Sequence, residues 1–270
     1  FENTMEDNGK WENFTTIEQE FDRFKEDNAI VSISSSNVNI SDNYMKNNKF
    51  ASIYLYDTDA NSIINNTVIN TAIDNVQHLG INIVDSTNFF MDYNQIDGPA
   101  IALHVNSSEL GTINANSFIG KEDQVEKFYT DGIFIYDSTA LTISKNEVKT
   151  NIIGFQAINS DNLSIIENYI HDNRGDGIII NNENTTNPEN LVGNVISMNI
   201  LQRNRRGIDL HQAFATEISH NLIENNGEGI YLVKSQNNEI FNNTCYFNSL
   251  CGIYLEDSDG NVISNNNCTA

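Results

Sequence analysis

Arg205, Arg206, Asp209 and His211 fall within seven residues in the stretch NRRGIDLHQAF, Asn204 to Phe214, of a 270-residue chain that holds only 14 Lys+Arg and five His. If this stretch is extended, residues two apart share a face, so Asp209 and His211 stand on one side of the strand. His211 can then act as a general base near neutral pH while Asp209 orients its imidazole. Arg206, with Lys234 from a matching stretch further along, can neutralise a carboxylate beside the carbon that loses a proton, stabilising an enolate-like intermediate. That chemistry is epimerisation or β-elimination of a uronic acid. A paired-carboxylate glycoside hydrolase, using Asp176 with Asp209 or Glu228, is a second reading, although no spacing singles it out.

The elements that must position these residues are set by a repeat. Asparagines recur at 43, 66, 94, 116, 146, 168, 199, 221, 243 and 266, with an apolar residue three before and another two after each, and the common spacing is 22 or 23 residues. Upstream of them a Gly-Ile-x-apolar unit recurs, as in Gly132-Ile133-Phe134-Ile135, Gly207-Ile208-Asp209-Leu210 and Gly252-Ile253-Tyr254-Leu255. Three short segments of period-2 alternation per unit cannot bury their own apolar face, so the units must stack. The expected fold is all-β: a single-stranded, parallel β-helix of about ten coils. The recurring Asn suits the bends, since it tolerates the left-handed conformation and its amide can bond to the Asn of the next coil.

Stacking makes neighbours of residues one coil apart. Asp176, Arg206 and Glu228 share the position before the strand glycine, and Gln212 shares a position with Lys234. The outward pairs, in coil order, are Tyr54 and Tyr56, Asn82 and Val84, Ala102 and His104, Phe134 and Tyr136, Gln156 and Ile158, Ile179 and Asn181, Asp209 and His211, Tyr231 and Val233, and Tyr254 and Glu256. This face is aromatic, and flat rings with polar edges are what a sugar stacks on. The candidate catalytic set is His211, Asp209, Arg206 and Lys234. The candidate substrate-binding set is Asp176, Asn181, Gln212, Glu228, Tyr231, Tyr254 and Tyr136.

Three insertions break the period, between Val68 and Ile81, between Phe118 and Ile133, and after Ile180, and the third follows the strand one coil before Asp209. Long loops on a rigid scaffold tend to carry function. Residues 1–28 depart from the repeat: Phe14, Ile17, Phe21 and Phe24 lie at helical spacing, with Thr15 and Glu18 as a capping box. They predict an amphipathic cap helix over the first coil, followed by the β-helix over 29–270.

A net charge of −23 disfavours nucleic acid and anionic membranes as partners, and polyanionic sugars too unless Ca²⁺ bridges the two or a local basic patch reverses the field. The local basic patch reverses that field and admits a polysaccharide. No run of 18 apolar residues, signal peptide or initiating Met is present, which fits a processed or truncated secreted chain with no membrane span in this segment. Glycosylation sequons start at Asn13, Asn39, Asn65, Asn106, Asn162, Asn184, Asn242 and Asn267. The chain ends just after its tenth Asn turn, so a further domain or self-assembly beyond Ala270 is expected. Asp/Asn turns are compatible with Ca²⁺, but no glycine-rich calcium nonapeptide, zinc spacing, P-loop or dinucleotide fingerprint occurs. Of the three cysteines, Cys245 and Cys268 share an inward column and are expected to be buried thiols.

The repeated pattern N-N-G-x-G-I-Y-L-x-x-S-x-N-N-x-I-x-N-N, over residues 29–268, resembles the right-handed parallel β-helix repeats of carbohydrate-binding proteins and sugar hydrolases, NosD-like extracellular proteins among them. Within it Arg206-Gly207-Ile208-Asp209-Leu210-His211-Gln212 is similar to the Tyr-Gly-Ile/Phe-Asp-Pro-His-Asp/Glu motif of mannuronan C5-epimerases. The resemblance implies catalytic roles for Asp209 and His211, with Lys234 near a family Arg. Arg206 stands in place of the family's catalytic Tyr, Leu210 of its Pro and Gln212 of its acid. The copper binding that a NosD likeness implies lacks its Met/His/Cys cluster. The expectation is therefore an extracellular polysaccharide-binding or polysaccharide-modifying protein. The alternative is a structural or adhesive cell-surface component, such as a sheath, surface layer or matrix protein.

Overall fold

The computed structural model of the chain describes residues 3–6, 28–71, 79–121, 131–183 and 191–269. The expected cap helix over Phe14 to Asp27 and most of the three insertions lie outside these. The described residues form three parallel sheets, of 10, 10 and 11 strands, in which every strand pairs with those one coil before and after it. The first sheet is built from long strands such as Ile153–Ile158, Arg206–His211 and Glu228–Val233. Three-residue strands make most of the other two, for example Glu217–Ser219 in the second sheet and Leu222–Glu224 in the third. The chain passes from long strand to second sheet to third sheet and then repeats, which is the expected β-helix.

The period-2 alternation sends every second side chain into the bore. Ile178, Ile180, Ile208, Leu210, Ile230 and Leu232 are fully buried there with the apolar residues that flank each recurring Asn, among them Ile196, Leu201, Ile218 and Ile223. At ~25 cal/mol per Å², burial of such side chains on all three walls is the main stabilising term, and it accumulates coil by coil. The glycine of the Gly-Ile unit is required by space: a Cβ on Gly207 would strike Ile223 Cγ2 and approach Gly229 O at 2.8 Å.

The corner between the second and third sheets carries the predicted ladder. Asn199 donates its side-chain amide to Asn221 Oδ1 at 3.1 Å, and Asn221 donates to Asn243 Oδ1 at 2.9 Å and to Ile196 O at 2.8 Å. The bend itself lies elsewhere than expected. The left-handed residue is the one before each ladder Asn, as in Glu167 (φ 55), Met198 (φ 57) and His220 (φ 58). Only by leaving that strained position to its neighbour can the asparagine turn its amide inward. A second ladder, which the repeat did not announce, runs through Asn151, Asn173, Asn204, Asn226 and Asn248 at the corner between the third sheet and the long strands.

Two further expectations are corrected. The outward pair of the Ile101–Asn106 strand is His104 and Asn106, because His104 pairs with Asn82 and Asn106 with Val84. Ala102 takes the glycine position and is 1% exposed, since Ile101 only mimics the isoleucine of the unit. Cys245 is buried, but Cys268 is exposed: the Asn267–Thr269 strand stacks over Cys245, and among the described residues no strand stacks over Cys268.

Candidate functional site

The Arg206–His211 strand sits in the long-strand sheet between Ile178–Asn181 and Glu228–Val233. Its register sets Asp209 beside Ile179 and Tyr231, His211 beside Asn181 and Val233, and Arg206 beside Glu228. Asp209 and His211 therefore point away from the bore, as their spacing requires.

Asp209 is nevertheless only 2% exposed, because side chains close over it. Arg206 Nη1 donates to Asp209 Oδ2 at 2.8 Å, and its Nε donates to Glu228 Oε2 at 2.5 Å. The same guanidinium carbon lies 3.7 Å from the centroid of the Tyr231 ring, whose other neighbour is Tyr254, stacked at 5.0 Å. His211 Nε2 stands 3.0 Å from Asp209 Oδ1, and Glu183 Oε1 approaches His211 Nδ1 to 3.9 Å. Arg205 forks onto buried Asp176, Nε to Oδ1 at 2.9 Å and Nη2 to Oδ2 at 2.5 Å, and its Nη2 lies 4.0 Å from Asp209 Oδ2.

These contacts set the protonation states. Burial acts to raise the Asp209 carboxyl, but His211 and Arg206 outweigh it and hold it below the ordinary carboxylate range. The Asp209 partner in turn raises His211 above its ordinary 6.5, against burial and Arg206. Asp176 moves the other way: burial raises it, more than its Arg205 partner lowers it, and the charge of Asp209 adds to the rise. Adjacent acids displaced in opposite directions are a recurrent mark of acid/base sites.

The structure thus brings together Asp176, Asn181, Arg206, Asp209, His211, Glu228 and Tyr231, with Tyr254 one coil further. Tyr136 shares the column of His211 but stands three coils away, roughly 14 Å at ~4.8 Å per coil. Gln212 and Lys234 occupy left-handed turn positions past the strand ends (φ 48 and 50). Lys234 is exposed, and no carboxylate among the described residues lies within ion-pair distance of it. Two participants stand outside the candidate sets: Arg205, noted in its stretch but given no role, and Glu183. The doubled arginine of Asn204-Arg205-Arg206 was the available signal for the first, while the second stands where the third insertion departs. Two arginines face four carboxylates here, Asp176, Glu183, Asp209 and Glu228, so the strip is more acidic than its sequence implied.

The aromatic face is only partly open. Tyr54 and Asn82 are buried, at 5% and 4% exposure, whereas Tyr254 is 42% exposed. Described residues at Thr71 and Lys121 lead into two insertions at one edge of the long-strand sheet, and Glu183 leads into the third at the other edge. Among the described residues no three His, Cys, Asp or Glu side chains gather as a metal site, and no helix is long and apolar enough to cross a membrane.

Comparison with known proteins places this geometry. The family described as "Right handed beta helix region" matches residues 66–215 and 154–270. Among solved structures, a double mutant of the periplasmic alginate epimerase AlgG is similar at 16% identity and a TM-score of 0.61, over 83% of this chain and 66% of that one. DFA-IIIase from Arthrobacter chlorophenolicus is similar at 11% identity and a TM-score of 0.69, over 85% of this chain and 63% of its own. The same enzyme without its lid gives 11% and 0.64, over 87% and 68%. The chain thus spans about two thirds of these proteins, and the likeness is one of fold. No curated protein sequence matches significantly.

Proposed function

The chain belongs to the right-handed beta helix family, and from that premise we propose that it is an extracellular polysaccharide-binding or polysaccharide-modifying protein whose chemistry is proton abstraction by His211 from a uronate-bearing glycan. The observation that carries this is a single one: the buried Asp209 carboxyl, whose Oδ1 lies 3.0 Å from His211 Nε2 on the outer face of the long-strand sheet. A carboxylate so placed stabilises the imidazolium that forms when the histidine accepts a proton. Lys234 is the exposed cation left to meet the uronate carboxylate, because Arg206 is enclosed by Asp209, Glu228 and Tyr231 and Arg205 is engaged with Asp176. An epimerase needs a second proton donor on the opposite face of the sugar, and the arginine at 206 is no such donor. β-Elimination fits more directly: His211 takes the ring proton beside the carboxylate, the carbon–carbon double bond forms as the bond to the glycosidic oxygen breaks, and the leaving oxygen takes its proton from the His211 imidazolium so formed. The names of the similar folds, an alginate epimerase among them, support a carbohydrate substrate.

The test is incubation with uronate polysaccharides, following the ultraviolet absorbance of unsaturated ends and exchange of the ring proton beside the carboxylate into deuterated water. The expected result is product in the wild type and none with His211→Ala. The rate should rise with pH through a midpoint above 6.5, since the base must be neutral and Asp209 raises its pKa. Activity retained by His211→Ala removes this site from the reaction.

A second reading, a non-catalytic structural or adhesive surface protein, is favoured by the closed ion network: Arg206 already has two carboxylates and an aromatic ring as partners. Regular lateral assembly of an inactive wild type would favour it.

A further inference from the structure

At the corner where the third sheet gives way to the long strands lies a cavity of 740 Å³, reaching from Lys121 to Asn225. Its lining comes from five successive coils, a span of roughly 19 Å at ~4.8 Å per coil. Four cations face it, Lys121, Arg174, Arg203 and Arg205, against the single carboxylate of Asp172. Just outside the lining, Asp97 faces Lys121 and Asp176 holds Arg205, so the excess positive charge of the corner rests on Arg174.

These charges differ in availability. Arg203 clamps Asp172, Nε to Oδ1 at 2.5 Å and Nη2 to Oδ2 at 2.7 Å, and Arg205 is engaged with Asp176. Arg174 is exposed, and no carboxylate among the described residues is within ion-pair distance of it. Its backbone is fixed nonetheless, N–H to Asn151 O at 2.9 Å, just as Arg205 N–H bonds Gly175 O at 2.7 Å. Beneath them the amides of Asn151, Asn173 and Asn204 are occupied with one another, so the floor is rigid. A preorganised receptor loses little freedom on binding.

We infer that this corner groove binds a carboxylate-bearing polysaccharide segment laid along the rod axis, with Arg174 as its main carboxylate receptor and Arg203 and Lys121 beside it. The groove is elongated, positive and hydroxyl- or amide-lined, with Thr150 and Asn225 among its walls, and so suits a chain of hydroxyls and spaced carboxylates. A nucleic acid, whose charge is continuous, would run past the groove onto an acidic surface. Arg205 joins the two regions, since it lines the groove and lies 4.0 Å from Asp209. The inference rests on the proposed function only in taking a polysaccharide as ligand.

The experiment is fluorescence anisotropy of end-labelled oligogalacturonate with the whole chain, next to a neutral maltohexaose and an inorganic phosphate competitor. Oligogalacturonate should bind and maltohexaose should not. Arg174→Glu should weaken binding about tenfold or more, and Lys121→Gln by a smaller factor, the loss of charge-assisted hydrogen bonds. Lys145→Gln, a like change of charge at the corner between the second and third sheets, should bind within about twofold of wild type. Absence of oligogalacturonate binding, equal binding by Arg174→Glu, loss of binding in Lys145→Gln, or displacement by phosphate at matched ionic strength each overturns the assignment. Tight binding with no turnover sinks the lyase reading alone, whereas turnover with Arg174→Glu binding like wild type sinks the groove alone.

Discussion

Two titrating side chains test the electrostatics residue by residue. His211 should titrate above 6.5 in a pH series of imidazole resonances, and fall back when Asp209→Asn removes the carboxylate beside it. A midpoint at or below 6.5 in the wild type would mean the pair is not formed in solution. The sign for stability follows: a histidine raised by a folded-state partner stabilises fully below its unfolded pKa, and that contribution fades as pH rises through the folded value. Asp131 is the opposite case. It opens the Asp131–Tyr136 strand, is 7% exposed, and burial pushes its carboxyl up to about 7, while its Oδ1 has no hydrogen-bond partner among the described residues. Above the unfolded value of 3.8 the unfolded chain gains the ionised form more readily, so the folded state loses stability as pH rises toward 7. Asp131→Asn should therefore raise the free energy of unfolding, measured by urea titration at pH 7, by a few kcal/mol, at about 1.4 kcal/mol per pKa unit, and make little difference at pH 3. An equal effect at both pH values would assign the gain to packing.

At the scale of the strand and corner, each ladder asparagine completes bonds that no other group replaces. Asn221 accepts from the Asn199 backbone N–H at 2.9 Å and its amide at 3.1 Å, both buried, and donates to Ile196 O and Asn243 Oδ1. Asn221→Ala strands two buried donors at about 1–3 kcal/mol each, so a loss on the order of 3 kcal/mol is expected in denaturant unfolding. The exposed Gln236→Ala is the control and should change stability by less than about 0.5 kcal/mol. A loss as small at Asn221 as at Gln236 would show that the ladder contributes no net stability. Asn221 and its ladder were legible in the sequence because a period of 22 residues and a strand alternation of two fix which side chains share a column. The same logic brought Asp176, Arg206 and Glu228 to one register and set Asp209 and His211 side by side. It failed where geometry is decided within a turn. The bend fell on Met198 and His220 rather than on the asparagines after them, and Ala102 in a glycine slot shifted the apparent outward pair by two. The groove of Arg174 and Arg203 was not anticipated because the repeat was read through the strands and one Asn column, while the corner positions Thr150, Asp172, Arg203 and Asn225, left-handed in each coil, carry no common residue type.

Across the whole rod, the dominant long-range term is repulsion among unbalanced acids, a net −23 on one chain. The ion pairs that oppose it are mostly partly exposed, such as Lys145 with Glu167 and Arg203 with Asp172, and such pairs contribute about 0–1 kcal/mol each. Salt screens both terms, but the repulsion is summed over distances longer than a single contact. Lengthening the Debye screen from ~8 Å at 0.15 M to ~30 Å at 0.01 M should therefore strengthen the repulsion more than the contacts. The chain should melt at a higher temperature in 0.15 M than in 0.01 M NaCl, while oligogalacturonate affinity in the corner groove falls over the same interval because that contact is an attraction between opposite charges. The opposite slopes separate a global field from a local one, and a melting temperature that falls with salt would make the ion-pair networks, rather than the acidic shell, the controlling term. Replacing NaCl by CaCl₂ at equal ionic strength extends the measurement to the Asp- and Asn-rich turns. An additional rise would require a specific calcium site among them, and an identical curve would leave screening as the whole effect.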